Sequence, residues 1–217
     1  APRNEPVHAS LTARSMPASV KLTKVELDRA LSYLEAVGTS DFFPDPFEIA
    51  ALRHSWDKVR PVLENIDLLS HEPKPAMEIV APKHNYTVRV IALLDPVDLL
   101  LYTALTFRLA PAIQAKRDTF QTNRVFSWRF NAGGLPDQLL ASNWEGQKQT
   151  LASAVTKFPA LATADIADFF SHIYLHRLQN AVAAITRDDL ACRAVMRLLE
   201  GWSHGTSYGI PVGPGVS

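Results

Sequence analysis

Cysteine is almost absent from this 217-residue chain: Cys192 stands alone. One thiol cannot close an internal disulfide, so a disulfide-stapled fold is excluded and a reducing, cytoplasmic setting is expected. An excess of charge of either sign is also missing, with 22 Lys and Arg against 22 Asp and Glu. That removes general attraction to polyanions as an argument, yet leaves room for a local basic groove. No apolar run reaches the ~20 uninterrupted residues that cross a bilayer, so no membrane partner is expected. The opening residues, APRNEPVHASLTARSMPASV, are polar and Pro-rich and contain no apolar h-region of a secretion signal. Internal repeats and low-complexity tracts are missing too. What remains is an ordinary globular composition, 47% hydrophobic and 20% charged, on a chain long enough to bury a core.

The order of elements points to an α+β fold. Leu22, Val25, Leu27, Leu31, Leu34 and Val37 recur at helical spacing. After GTSDFFPDP, PFEIAALRHSWDKVRPVLENIDLL restarts a helix, which Pro61 is expected to kink or split. AMEIVAPKHNYTVRVIALL is rich in β-branched residues, and His84-Asn85 divides it into a hairpin, Met77 to Lys83 against Tyr86 to Leu93. Asp95 then serves as N-cap and Pro96 as first residue of a long helix. VFSWRF reads as a short strand, and SNWEGQKQTLASAVTKF as a helix in which Ser142 and Glu145 resemble a capping box. ALATADI, residues 160–166, reads as an apolar strand. A helix from about Ser171 to Ile185 and another over RDDLACRAVMRLLEGWSH follow. A helical segment over 1–75 comes first, and the character changes from about residue 76 onward. The Gly- and Pro-rich ending, YGIPVGPGVS, reads as a cut inside something longer.

Several residues carry candidate chemistry. Asp165, in ADIADFFSHIYLHRL, follows an apolar run and precedes a helix. Such a carboxylate is either a cap or solvated loop residue, or a metal ligand held rigidly beside a backbone carbonyl. Asp168 is expected to cap the next helix. Arg89 and Arg129 sit on strand-like runs; each points either to solvent or into a cleft where a guanidinium fork grips phosphate. GIPVGPG is either a plain loop or a backbone surface that a ligand approaches closely, since glycine presents no side chain. His172 and His176 are four apart without the glutamate of a zinc helix, which favours a surface or packing role.

Four stretches in this order resemble the first part of a reverse transcriptase. YTVRVIALLDPVDLLLYTAL is similar to the first fingers motif and VFSWRF to the second. ADIADFFSHIYLHRL is similar to palm motif A, and YGIPVGPGVS to the motif that usually reads G-[IL]-P-Q-G. The wording is most like bacterial defence-associated and abortive-infection enzymes, and it runs from about residue 77 onward. The resemblance implies fingers over 76–158 and the start of a palm from 159. It implies an RNA-directed DNA polymerase, active in phage defence, that extends a nucleic-acid primer on an RNA template with dNTPs and two Mg²⁺ ions, or Mn²⁺ in their place. Asp165 would be the catalytic metal ligand, with the Ile166 carbonyl beside it. Phe170 would be the steric gate under the sugar. Arg89 and Arg129 would contact the nucleotide, and Gly209, Pro211 and Gly213 would shape the floor under the templating pair. The chain departs from the pattern at Val212, where glutamine is usual, in lacking a clear fingers lysine, and in lacking the Tyr-x-Asp-Asp motif with its further carboxylates. This piece alone is therefore expected to be inactive. Template-independent nucleotide addition and a non-catalytic RNA-binding or assembly module are the rival expectations; oligomerisation is left open.

Overall fold

Asp95 lies two residues beyond a strand and caps the longest of the described helices. The computed structural model describes residues 18–39, 47–82, 88–119 and 125–216. In it the Asp95 carboxylate accepts from the backbone N–H groups of Val97 (2.9 Å) and Asp98 (3.4 Å), and Pro96 takes the first helical position as the sequence predicts. In chain order the described elements are α1 (Lys24–Val37), α2 (Phe47–His54), α3 (Trp56–Glu64), β1 (Met77–Pro82), β2 (Val88–Leu93), α4 (Pro96–Asp118), β3 (Arg129–Phe130), β4 (Leu140–Ala141), α5 (Trp144–Lys157), α6 (Leu175–Thr186) and α7 (Asp189–Trp202). Helices dominate and the strands form two separate antiparallel pairs, β1 with β2 and β3 with β4, an α+β arrangement.

Helix α4 is the centre. Residues Asp98 to Leu105 are buried without interruption, because α1, α6 and α7 all pack on it. Its length and mean hydropathy would suffice for a bilayer, but 61% of the relevant window is buried inside the protein, as expected of a core helix. Aromatic edges extend the core outward. Tyr33 of α1 meets Phe107 at 5.0 Å, Phe107 meets Phe130 of β3 at 5.6 Å, and Tyr102 meets Trp202 of α7 at 5.4 Å. One continuous cluster of apolar side chains therefore runs from Val20 to Trp202.

A polar clasp fixes the first turn of α4. Asp98 is only 2% exposed. Its Oδ1 lies 2.6 Å from His71 Nε2, and its Oδ2 accepts from the backbone N–H of Lys74 at 2.7 Å. The Lys74 ammonium pairs with Asp95 at 2.6 Å. From the other side, Arg197 of α7 donates to the His71 carbonyl (2.9 Å) and the Trp202 indole to the Lys74 carbonyl (3.1 Å). Gly201 allows this approach, since a Cβ there would stand 2.3 Å from Pro73 Cγ. The segment 71–74 is thus tied to both helices, and the buried carboxylate has its acceptors used.

The structure shifts several boundaries. The second helical run breaks at Ser55, not at Pro61, which lies inside α3. Ser55 ends one helix by donating to Ala51 and opens the next by accepting from Lys58 and Val59. This turn buries Trp56, whose indole donates to Asp28 of α1 at 2.6 Å. The cap of α5 is Asn143, accepting from Gly146 at 3.0 Å, not Ser142, because the helix begins one residue later than expected. The hairpin forms in the expected place, with Met77 opposite Leu93 and Ile79 opposite Ile91. Its turn, Lys83 to Thr87, lies outside the described residues. The run 160–166 forms no strand: no described strand offers it a ladder, and it is exposed throughout.

Asp98→Ala should destabilise the chain by about 3 kcal/mol, since it leaves His71 and the Lys74 N–H without their buried acceptor. Exposed Val80→Thr should stay within about 0.5 kcal/mol of the parent. Urea unfolding followed by circular dichroism measures both.

Candidate functional site

The candidate site gathers around the loop that follows α7. Gly209 takes φ +95°, in the region that glycine alone enters freely. That conformation turns its N–H to the Ile173 carbonyl (2.9 Å) and lets the next N–H, of Ile210, reach the Phe170 carbonyl (3.1 Å). Tyr208 and Tyr174 form an antiparallel bridge just before it, and the Ser207 carbonyl accepts from Leu175 N–H at 3.0 Å. This backbone contact serves α6 as a cap, because no side chain does. Pro211 is buried. The Val212 carbonyl then accepts from Ala92 N–H of β2 at 2.7 Å. Gly213 takes φ +129°, and a Cβ on Gly215 would sit 3.0 Å from the Tyr33 hydroxyl. The loop is therefore fastened to the Phe170 segment and to β2 in succession, and then passes close to Tyr33 of α1.

This brings together residues far apart in sequence. Phe170, Gly209, Pro211 and Gly213 share one loop cluster. Arg89 lies three residues before Ala92 on β2, about 10 Å along the strand. Its face of the hairpin is the one that carries buried Ile91. Phe170 opens a short 3-10 turn, Phe170–His172, and its ring meets Phe169 edge-on at 5.7 Å. Its own side chain is half-buried.

Arg129 is engaged elsewhere. Its guanidinium meets Asp118 in the last turn of α4 at 3.0 Å and donates to the Val125 carbonyl at 3.2 Å. Arg117 stands beside it, donating to the Trp128 and Ser127 carbonyls. Burial, and then the like charge of Arg129, hold the Arg117 pKa below its ordinary value. These two arginines secure the short strand β3 to α4.

Asp165 lies on exposed coil, not at the end of a strand. Its carboxylate accepts from the N–H of Ile166 at 3.0 Å, and Ile166 is 67% exposed. Asp168 does not cap the following helix. It takes a left-handed turn at φ +49°, and its carbonyl accepts from His172 Nδ1 at 2.8 Å. His172 and His176 are both exposed, in keeping with the surface role expected of them. Among the described residues, no group of three or more His, Cys, Asp or Glu side chains is placed to hold a metal ion. Asp165 and the Ile166 carbonyl offer hard oxygen donors suited to magnesium, but one carboxylate and one carbonyl do not make up the ligand set of a two-ion centre. Cys192 offers no nucleophile. Burial first, then Asp189, push its pKa up, and its thiol donates to the Gln179 carbonyl.

The signal that sequence reading missed was the tyrosine pair flanking the loop. Tyr174 and Tyr208 each stand beside a motif residue, but only the bridge reveals that they are neighbours.

No protein-family model matches the chain, and no curated protein matches it significantly.

Gly209→Ala should lower stability by about 1–2 kcal/mol through backbone strain alone, since the added Cβ would keep 3.6 Å from the Ser171 carbonyl. Thermal unfolding should show this loss, with helix content unchanged at low temperature.

Proposed function

We propose that the chain is the nucleotide- and nucleic-acid-binding part of a reverse-transcriptase-type polymerase, comprising fingers and the beginning of a palm. One observation carries the reading. The Gly209–Gly213 loop is hydrogen-bonded on one side to the Phe170–Ile173 turn and on the other to β2, the strand of Arg89. Three of the four stretches that resemble polymerase motifs therefore meet at one place, though they lie far apart in sequence. Chance matches scattered over an unrelated fold have no reason to do so.

On this reading the residues divide the work of phosphoryl transfer by position and charge. The rigid loop presents bare backbone at Gly209 and Gly213, on which a base pair can rest without meeting a side chain. Phe170 stands next to it as a bulky stop for a sugar. Arg89 supplies a planar, permanently charged fork for the triphosphate. Asp165 and the Ile166 carbonyl contribute oxygen donors to a magnesium site whose remaining carboxylates the described residues do not provide, so no chemical step is assigned to them. The partners are an RNA template, a primer and a dNTP, and the setting is phage defence. Val212 in place of glutamine leaves the loop apolar at that point, which also suits synthesis without a template. The exposed, unsupported coil around Asp165 favours a second reading, a non-catalytic RNA-binding module.

Binding of a deoxynucleoside triphosphate, followed by calorimetry in magnesium buffer, separates these readings. Arg89→Ala should weaken it by about tenfold or more, the loss expected for a charge-assisted contact, while binding of a single-stranded oligonucleotide changes little. A chain that binds oligonucleotide but no triphosphate would be the non-catalytic module. In primer extension with Mg²⁺ or Mn²⁺, the 217-residue chain should incorporate no nucleotide. Robust incorporation would show that the metal ligands are misassigned.

A further inference from the structure

Two tyrosines lie open to solvent where the chain has every means to hold them still. Tyr174 is 57% exposed and Tyr208 47%. Their backbones are joined by the antiparallel bridge, and the flanking bonds from Leu175 to Ser207 and from Gly209 to Ile173 close it on both sides. Thr206 Oγ1 adds a bond to the Tyr208 carbonyl at 2.7 Å. The ring centroids are 6.1 Å apart at 61°, and the Arg177 guanidinium lies 5.7 Å from the Tyr174 ring. Large aromatic surfaces left in water forgo the stabilisation that burial would give. Fixing them on a rigid backbone removes the ordering cost of a later contact.

The chemistry of the patch selects its occupant. Aromatic faces attract other flat π-systems, and a guanidinium beside them attracts anions. A shallow groove of about 370 Å³ opens alongside, lined by Leu175 and Ser207, the residues after Tyr174 and before Tyr208, and by the polar side chains of His176, Gln179, Thr206 and Glu200. Its one carboxylate, Glu200, can accept only from base amino groups and repels phosphate, so the backbone of a bound strand is placed on the Arg177 side. Bases for the rings, phosphates for the arginine and polar edges in the groove describe an unpaired stretch of nucleic acid.

We propose that Tyr174, Tyr208 and Arg177 form a base-stacking platform for single-stranded nucleic acid. It adjoins the Phe170–Gly209 site through the two backbone bonds that link them. The inference takes its setting from the polymerase-type reading, but it requires neither Asp165 nor a metal ion.

The test is fluorescence anisotropy in EDTA with labelled oligonucleotides of about 20 nucleotides, more than one site length of single-strand binders. One is all deoxyadenosine; the other is abasic with the same number of phosphates. The unmutated chain should bind the first about tenfold more tightly, the scale of one stacked base. Tyr174→Ala and Tyr208→Ala should each shrink that gap, and Tyr174→Phe and Tyr208→Phe should keep it. Circular dichroism checks that the variants fold, and the comparison of the two oligonucleotides on the unmutated chain needs no variant. Equal binding of both oligonucleotides would overturn the proposal, as would a gap that survives both alanine substitutions in folded protein. The two readings fail separately: without the platform the gap vanishes while triphosphate binding remains, and without the polymerase site triphosphate binding is lost while the gap remains.

Discussion

Everything in this protein is referred to the burial of α4. Eight consecutive residues in it, Asp98 to Leu105, are enclosed on all sides. Each buried leucine there contributes on the order of 2 kcal/mol by leaving water. That burial forces a price on one position, Asp98, whose carboxylate must be fully bonded to be tolerated. The linker 71–74 supplies those bonds and is in turn held by Arg197 and Trp202 of α7. Core packing and polar clasp are therefore one arrangement, in which neither part is satisfied without the other.

The position of the candidate site follows from this. Strand β2 runs into α4 with only Leu94 and Asp95 between them, so the strand is aimed by the helix. Helix α7 packs on α4, and the loop after it falls back across β2 and the Phe170 turn. Glycines with positive φ let that loop turn sharply, and buried Pro211 and Pro214 stiffen it. The cluster of Phe170, Gly209 and β2 is consequently built on fixed elements. Arg129 is anchored apart from this cluster. Its contacts with Asp118 and Val125 are those of a residue holding β3 in place.

The stretch from Phe158 to Phe169 contrasts with this. It is exposed at every residue and contains Asp165. An apolar run adopts strand geometry only where another strand completes its ladder and a layer covers its face. Here the described residues offer neither, so the same sequence that reads as a buried strand lies as coil. Tyr174 and Tyr208 lie beyond this stretch and are bridged to each other.

Local chemistry was legible in the sequence by itself. Asp95-Pro96 specified the start of α4 because a cap and a fixed φ act within one turn. The β-branched run from Met77 to Leu93 specified the hairpin, because both strands lie close in the chain. The helical spacing of α1 and α7 likewise needs only neighbours three and four residues away. Other features were decided by tertiary structure. The break at Ser55 depends on Trp56 finding Asp28 in another helix. The failure of 160–166 to become a strand depends on the want of a partner among the described residues, which no local pattern encodes. The meeting of Phe170, Gly209 and Ala92, and of Tyr174 with Tyr208, depends on how α6 and α7 pack on α4. Propensity and capping are settled by a residue's near neighbours along the chain; a site is made by residues whose only connection is the core between them.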